Sequence, residues 1–266
     1  MSISHLAEIN EKAQIGNNVS IGPYAIIDAD VHIADNCKIH PHANIMNGTR
    51  IAEGTSIYQG AIVGSEPQDL KYKGEQTLLN IGKNVSIREY CTINKGTAAS
   101  GQTEIGDDAL IMAYVHVAHD CQIGRHAIIA NSVNLAGHVQ VDDYAIIGGM
   151  TAVQQFVHIG ESCFIGGGTL VRKDVPPFIK VAREPLSYVG VNSVGLRRRG
   201  FTVEAINKIK DVYRILFVKY KNISLALEEI DANLPESDEK YAIVSFIHNS
   251  SQGLVRGFRQ HRGHDY

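Results

Sequence analysis

"IGRHAIIANSVNLAGHVQVDDYAIIGG", from Ile123 to Gly149, carries a branched aliphatic at every sixth residue: Ile123, Ile129, Leu135, Val141 and Ile147. A helix would space its apolar face at three and four, and a half-buried strand at two, so neither period fits. The frame runs back through Val117, Ile111 and Ile105 and on through Val153, Ile159, Ile165 and Val171. An earlier run has the same spacing from Ile15 to Val63, and Ile81, Ile87 and Ile93 resume it. A hexapeptide period predicts short strands separated by turns and stacked as a parallel β-helix, three hexads to each triangular coil. The first position of each hexad then points inward, joined by a smaller side chain at the fifth. Cys37, Cys91, Cys121 and Cys163 all occupy that fifth position, alongside Val19, Ala25, Ala127 and Ala145, so the thiols read as core filler and not as nucleophiles.

Two polar segments leave the frame, 65–77 and 96–104, as loops on a rigid scaffold where binding residues tend to sit. Past Val171 the period stops at "KDVPPF", where the prolines remove strand donors, and the coil is expected to occupy residues 1–185. From Thr202 the spacing becomes helical, with Ala205, Ile206, Ile209, Val212, Tyr213 and Leu216 on one face and Thr202 as N-cap. Ser224 and Ser237 are expected to cap two further helices, giving a helical C-terminal domain over 186–256 and a loose tail over 257–266.

The 266 residues suffice for a real core, and a formal charge of −3 argues against nucleic acid as a partner despite the basic "LRRRG" at Leu196 to Gly200. The N-terminus has no basic and apolar leader, and no apolar run is long enough to cross a membrane, so a cytoplasmic protein with no integral membrane segment is expected. Four cysteines in such a chain make neither a disulfide framework nor a CxxC zinc site.

Residues eighteen apart should stack at the spacing of neighbouring strands, roughly 4.8 Å. That puts His119, Gly137, Gln155 and Lys173 in one column along an edge of the prism, with Asp120, His138 and Phe156 beside it. A histidine next to a carboxylate, facing a glycine whose N–H is open to approach, suggests a general base beside an oxyanion donor. His116 falls elsewhere on the turn, so a zinc site built from the histidines would need a neighbouring chain, and none is expected. A structural or ice-binding solenoid would show a flat face of threonines or serines, which is missing here.

The hexad frame, "QDLKYKGE", "HVAHDC", "NLAGHVQVDDYAIIGGMTAV", "DVPPF" and "GVNSVGLRRRGF" together closely resemble the UDP-N-acetylglucosamine acyltransferases that begin lipid A synthesis. The likeness covers nearly the whole chain up to Arg256. It implies a left-handed coil, a homotrimer with active sites between subunits, and transfer of a 3-hydroxyacyl chain from acyl carrier protein to the 3-position of the UDP-sugar. No cofactor is implied beyond the phosphopantetheine on which the carrier holds the acyl group. By position, His119 matches the catalytic base, Asp120 the group that orients it and Gly137 the oxyanion donor. Asp69, Lys71, His116, His138, Gln155, Asn192 and Arg199 match residues that hold the sugar nucleotide, and Arg198 lies in the same basic run, suited to phosphates or an acidic carrier. Gly167 matches the position that sets acyl length, with Phe164 close by. Gln154 stands where the family commonly has histidine and Val194 where glutamate is common, which leaves open a sugar bearing an amine at the acylated carbon. The related N-acyltransferases, which use the same coil and carrier, normally place a uridine-binding domain before the hexads, and Ile15 leaves no room for one. A coenzyme A-dependent hexapeptide transferase is the remaining alternative.

Overall fold

Two-residue strands alternate with four-residue turns along most of the chain, and the stacking that results is a left-handed parallel β-helix with helices at its C-terminal end. The structure is a computed structural model that describes residues 2–220 and 222–257. Each coil contributes one strand to each of three faces. Face A contains Ile128–Ile129 and Ile146–Ile147, face B Asn134–Leu135 and Ala152–Val153, and face C Gln140–Val141 and His158–Ile159. The register pairs Ile128 with Ile146, Asn134 with Ala152 and Gln140 with His158, one coil apart in each case.

The hexad explains this geometry residue by residue. First-position side chains such as Ile129, Leu135 and Ile147 are completely buried, as are all four fifth-position cysteines. Burial pushes the Cys91 thiol up to about 11 and the Cys121 thiol up to about 12, so both stay protonated and inert. The fourth position turns the corner with positive φ, as at Asp120 (60°), His138 (60°) and Phe156 (66°). A left-handed conformation costs an L-residue roughly 1–2 kcal/mol. The same turn lets the His138 N–H reach the His119 carbonyl at 3.0 Å and the Phe156 N–H reach the Gly137 carbonyl at 3.2 Å, so each rung holds the corner of the next.

Two excursions interrupt the coil where face B passes to face C. The first leaves Ile62–Ser65 and returns at Leu78–Ile81; the second leaves Thr92–Asn94 and returns at Gln102–Ile105. The second is shorter than the 96–104 expected, because Gln102 to Glu104 already pair with Leu78 to Asn80.

The coil also runs past the prolines. Val175 bridges to Ile159 and Ile179–Ala182 pairs in parallel with Phe164–Ile165, with Pro176 and Pro177 occupying the corner between them. Face C ends on this rung, so the absent proline N–H groups deprive no further strand. Ser187–Val191 then folds back antiparallel onto Ile179–Ala182, an element the helical reading of 186–256 missed.

Four α-helices follow: α1 (Ser193–Arg198), α2 (Val203–Tyr213), which continues as a π-turn through Lys219, α3 (Ile223–Asn233) and α4 (Asp238–Asn249). Thr202 and Ser237 cap α2 and α4, but Asn222 and not Ser224 caps α3, its side chain accepting the N–H groups of Ser224 and Leu225. Gly257, expected to begin the tail, pairs with Tyr188 in a last strand, and 258–266 lie outside the described residues.

Two buried polar contacts fasten this cap to the coil. Asp174 accepts the His158 N–H at 2.8 Å, the Ser250 hydroxyl at 2.6 Å and the Gln252 N–H at 3.1 Å. The Tyr213 hydroxyl donates to the Pro177 carbonyl at 2.6 Å inside the core. At the opposite end the first rung is uncovered, and Ile3 and Leu6 are 41% and 46% exposed. Tyr213→Phe leaves a buried carbonyl unpaired and should lower unfolding free energy by about 1–3 kcal/mol in a denaturant titration, with the coil's far-UV signal unchanged.

Candidate active site

The corner between faces B and C carries His119, Gly137 and Gln155 on successive rungs, with Asp120, His138 and Phe156 beside them. The stacking is close. A Cβ built on Gly137 would lie 2.6 Å from His119 Cε1 and 2.8 Å from Nε2, so only glycine leaves room for the ring and for anything that approaches it. The Gly137 N–H donates to no group among the described residues.

His119 Nδ1 stands 2.7 Å from Asp120 Oδ2, and the ring is nearly buried. A carboxylate only accepts, so Nδ1 carries the hydrogen and the Nε2 lone pair faces the space over Gly137. Burial alone would raise the Asp120 carboxyl, but hydrogen bonds from Ser100, His119 and Thr97 outweigh it and hold the group well below the usual carboxylate range. Asp120 is therefore ionised near neutrality and cannot account for a pH dependence there.

His138 meets His119 edge to face, with centroids 5.2 Å apart, and stacks on Phe156 at 4.6 Å. His116, on face B, places Nδ1 2.8 Å from the Thr92 hydroxyl; burial, with a smaller contribution from nearby His119, lowers its pKa and favours the neutral ring. Two histidines and an aspartate converge within one chain, as the adjacent columns imply, with His116 not among them: the ligand atoms of His119, Asp120 and His138 lie within 4.8 Å of one another. The donor set fits a metal poorly. Asp120 Oδ2 already faces two hydrogen-bond donors and Oδ1 two more, all of which a cation would have to displace.

Both excursions leave this same corner, below His119. The ends of the first are strapped beside the second: Asn94 Nδ2 donates to Ser65 Oγ and the Glu66 carbonyl, each at 2.8 Å, and Thr77 donates to the Gly96 carbonyl. Asp69 and Lys71 lie on the first excursion, where Asp69 Oδ1 accepts the Lys71 N–H at 2.9 Å.

The remaining expected residues lie elsewhere. Asn192, Arg198 and Arg199 sit at the corner between faces C and A. Arg199 donates to the Tyr144 carbonyl at 2.7 Å, while Asn192 Nδ2 donates to the Ser162 carbonyl at 2.9 Å and Oδ1 accepts the Gly195 N–H. Asn192 thereby caps α1, and both ends of its amide are engaged within the chain, a role its motif match did not suggest. Arg198 and Val194 are exposed on α1. Phe164 projects from face A, and Gly167 turns the corner between faces A and B. Thr97 and Ser100, which hold Asp120, were not anticipated; they lie in a segment outside the hexad frame, where position carries no information about direction.

Residues 12–46 and 102–137 match the family description "bacterial transferase hexapeptide (six repeats)", and 174–255 match "UDP N-acetylglucosamine O-acyltransferase; Domain 2". The chain is 54% identical to an acyl-[acyl-carrier-protein]–UDP-N-acetylglucosamine O-acyltransferase of Sulfurihydrogenibium, over 96% of this chain and 94% of that one. Against the enzyme of that name from Chlorobium phaeobacteroides it is 57% identical, over 95% and 96% of the two chains. Its fold is similar to that of the UDP-N-acetylglucosamine acyltransferase from Bacteroides fragilis, with a TM-score of 0.94 and 47% identity over 95% of this chain and 99% of that one. The Francisella novicida enzyme gives 0.93 and 37% identity, over 99% of each chain.

Because Gly137 is the floor over which His119 faces outward, Gly137→Ala should push the imidazole off Asp120. Displacements of that size lower turnover about 100-fold, and steady-state kinetics with an unchanged melting curve would register the effect.

Proposed function

The chain belongs to the UDP-N-acetylglucosamine O-acyltransferases, and we propose that His119 is the general base with which it moves an acyl group from acyl carrier protein to its sugar nucleotide. The observation that carries this reading is the Asp120–His119–Gly137 alignment, in which a single tautomer of the ring faces an unpaired backbone N–H. A sugar hydroxyl is too weak an acid to ionise unaided, whereas a neutral imidazole accepts its proton as the oxygen attacks the thioester carbonyl. The Gly137 N–H receives the tetrahedral oxyanion, an interaction whose loss raises such barriers by about 3 kcal/mol. The intermediate then collapses, and His119 returns the proton to the departing pantetheine thiolate. The acceptor is the 3-hydroxyl and the donor a 3-hydroxyacyl thioester, the first step toward lipid A.

The reading includes a homotrimer, because the sugar-nucleotide residues occupy two corners of one prism. The sixth-position residues of face C are polar, from Gln14, His32 and Arg50 to Gln122, Gln140 and His158, with half-buried Leu78 the apolar outward exception. Face A instead presents Leu110, Ile128, Ile146 and Phe164, and face B Ile26, Ile62 and Leu170. The corner they share exposes Tyr24, Tyr90, Tyr114 and Met150, the last at 78%. An apolar ridge flanked by partly apolar faces fits burial against copies of itself. With that ridge on a threefold axis, face B of one subunit meets face A of the next. The His119 corner of the first then lies beside the Arg198–Arg199 corner of the second, and Phe164 lines the seam between them.

Four unpaired, buried cysteines suit a reducing compartment, and the reading assigns the reaction to the cytoplasm. Among the described residues no helix is long and apolar enough to cross a membrane.

His119→Ala should remove at least about 1,000-fold of turnover with acyl carrier thioester and UDP-N-acetylglucosamine while leaving folding and assembly intact. Near-normal turnover of the variant would refute the assignment. Sedimentation equilibrium should return the mass of three chains, and Met150→Glu should shift it toward one.

A further inference from the structure

Asp120 is one of three buried non-glycine corner residues among those described, the others, Ser162 and Phe178, lying at the C-terminal end of the coil. Tyr24, Tyr90, Tyr114, Met150 and Phe156 occupy equivalent positions with similar φ and are at least half exposed, whereas Asp120 is 5% exposed. The difference comes from the second excursion, which folds over this corner and supplies three of the four hydrogen-bond donors to the carboxylate. The Thr97 N–H reaches Oδ1 at 2.9 Å, the Thr97 hydroxyl reaches Oδ2 at 2.7 Å, and the Ser100 hydroxyl is directed at Oδ1. The fourth donor is His119 Nδ1. From below, the Thr103 hydroxyl accepts the Asp120 N–H at 2.9 Å.

We propose, building on the reading of His119 as the base, that Thr97, assisted by Ser100, is a positioning residue that locks the Asp120 carboxylate and through it the tautomer of the catalytic imidazole. The carboxylate plane is fixed by donors on both oxygens, so one lone pair of Oδ2 points along Nδ1–H. Remove the Thr97 hydroxyl and Oδ2 keeps the imidazole, with His138 Nε2 3.6 Å away, while Oδ1 keeps the Thr97 N–H and Ser100, so the carboxylate is held less tightly on the side that meets Nδ1–H. The ring then has less reason to keep its hydrogen on Nδ1, and a tautomer with the hydrogen on Nε2 cannot accept a proton from the sugar. Ser100 is the weaker element, because its single hydrogen is shared between Asp120 and the Gln102 carbonyl, 2.8 Å away. Thr97 is buried and contributes both a main-chain and a side-chain donor.

The test compares Thr97→Val, which keeps the shape and the N–H but loses the hydroxyl, with Thr97→Ser, which keeps the hydroxyl. Thr97→Val should lower kcat about 10- to 100-fold with KM for UDP-N-acetylglucosamine unchanged within about twofold, and Thr97→Ser should restore most of the loss. Nitrogen-15 spectra of histidine-labelled protein near pH 8 should show the His119 signals, identified by their absence in His119→Ala, as a single tautomer hydrogenated at Nδ1 in the unaltered enzyme and as a mixture in Thr97→Val. An unaltered kcat and a single tautomer in Thr97→Val would overturn the proposal, as would a raised KM at constant kcat. If Thr97→Val does not assemble, Ser100→Ala provides the same readouts, with a smaller fall in kcat expected and an unchanged kcat and tautomer counting against the clamp. Normal turnover by His119→Ala would remove the general base itself; an inactive His119→Ala beside a normal Thr97→Val would remove only the clamp.

Discussion

The structure depends on one repeated contact, a branched side chain that points inward from each face and rests on its counterpart one coil away. Because Ile129, Leu135 and Val141 belong to faces A, B and C in turn, three hexads close a triangle, and the next three must repeat it in register. No side chain outside this column decides where a rung lies. The corners follow from the closure: a chain that turns every six residues needs a left-handed residue at each bend, and asparagine, aspartate, histidine and even phenylalanine accept the strain because backbone hydrogen bonds between rungs offset it.

That regularity makes the His119 corner readable without coordinates. Once the frame is known, His119 and Gly137 must be vertical neighbours, and Asp120 must flank the ring, since sequence distance along a solenoid converts directly into space. The reading fails where the frame fails. Thr97 and Ser100 lie in an excursion whose path depends on its own contacts, so nothing in the spelling "GTAASG" discloses that it covers a carboxylate. Asn192 fails for a different reason. A motif match identifies a residue but not what its amide does, and here the amide is engaged in starting α1 and holding it to the Ser162 carbonyl. The prolines misled in a third way: they do break a ladder, but on the last rung of face C no ladder remains to break.

The division of the expected binding residues between two corners has an electrostatic logic. On one corner the anionic Asp120 is surrounded by donors, the imidazole among them; on the other, Arg198 and Arg199 hold positive charge. Arg199 is partly buried against the Tyr144 ring, and burial lowers its pKa without bringing it near neutrality, so it remains a fixed cation. In the proposed trimer, assembly would bring those cations to the seam beside the His119 corner of the next subunit. That seam between subunits would do the work that a moving lid does in other enzymes.

The two ends of the described coil differ. The edge of a parallel ladder invites another ladder to continue it, and Ile3 and Leu6 add apolar surface at the end remote from the helices. Growth of that kind is head-to-tail, however, and requires an accepting tail as well as a willing head. Asp174, Tyr213 and the helices they anchor occupy the other end of the column, so one plug suffices to deny both polarities of fibre.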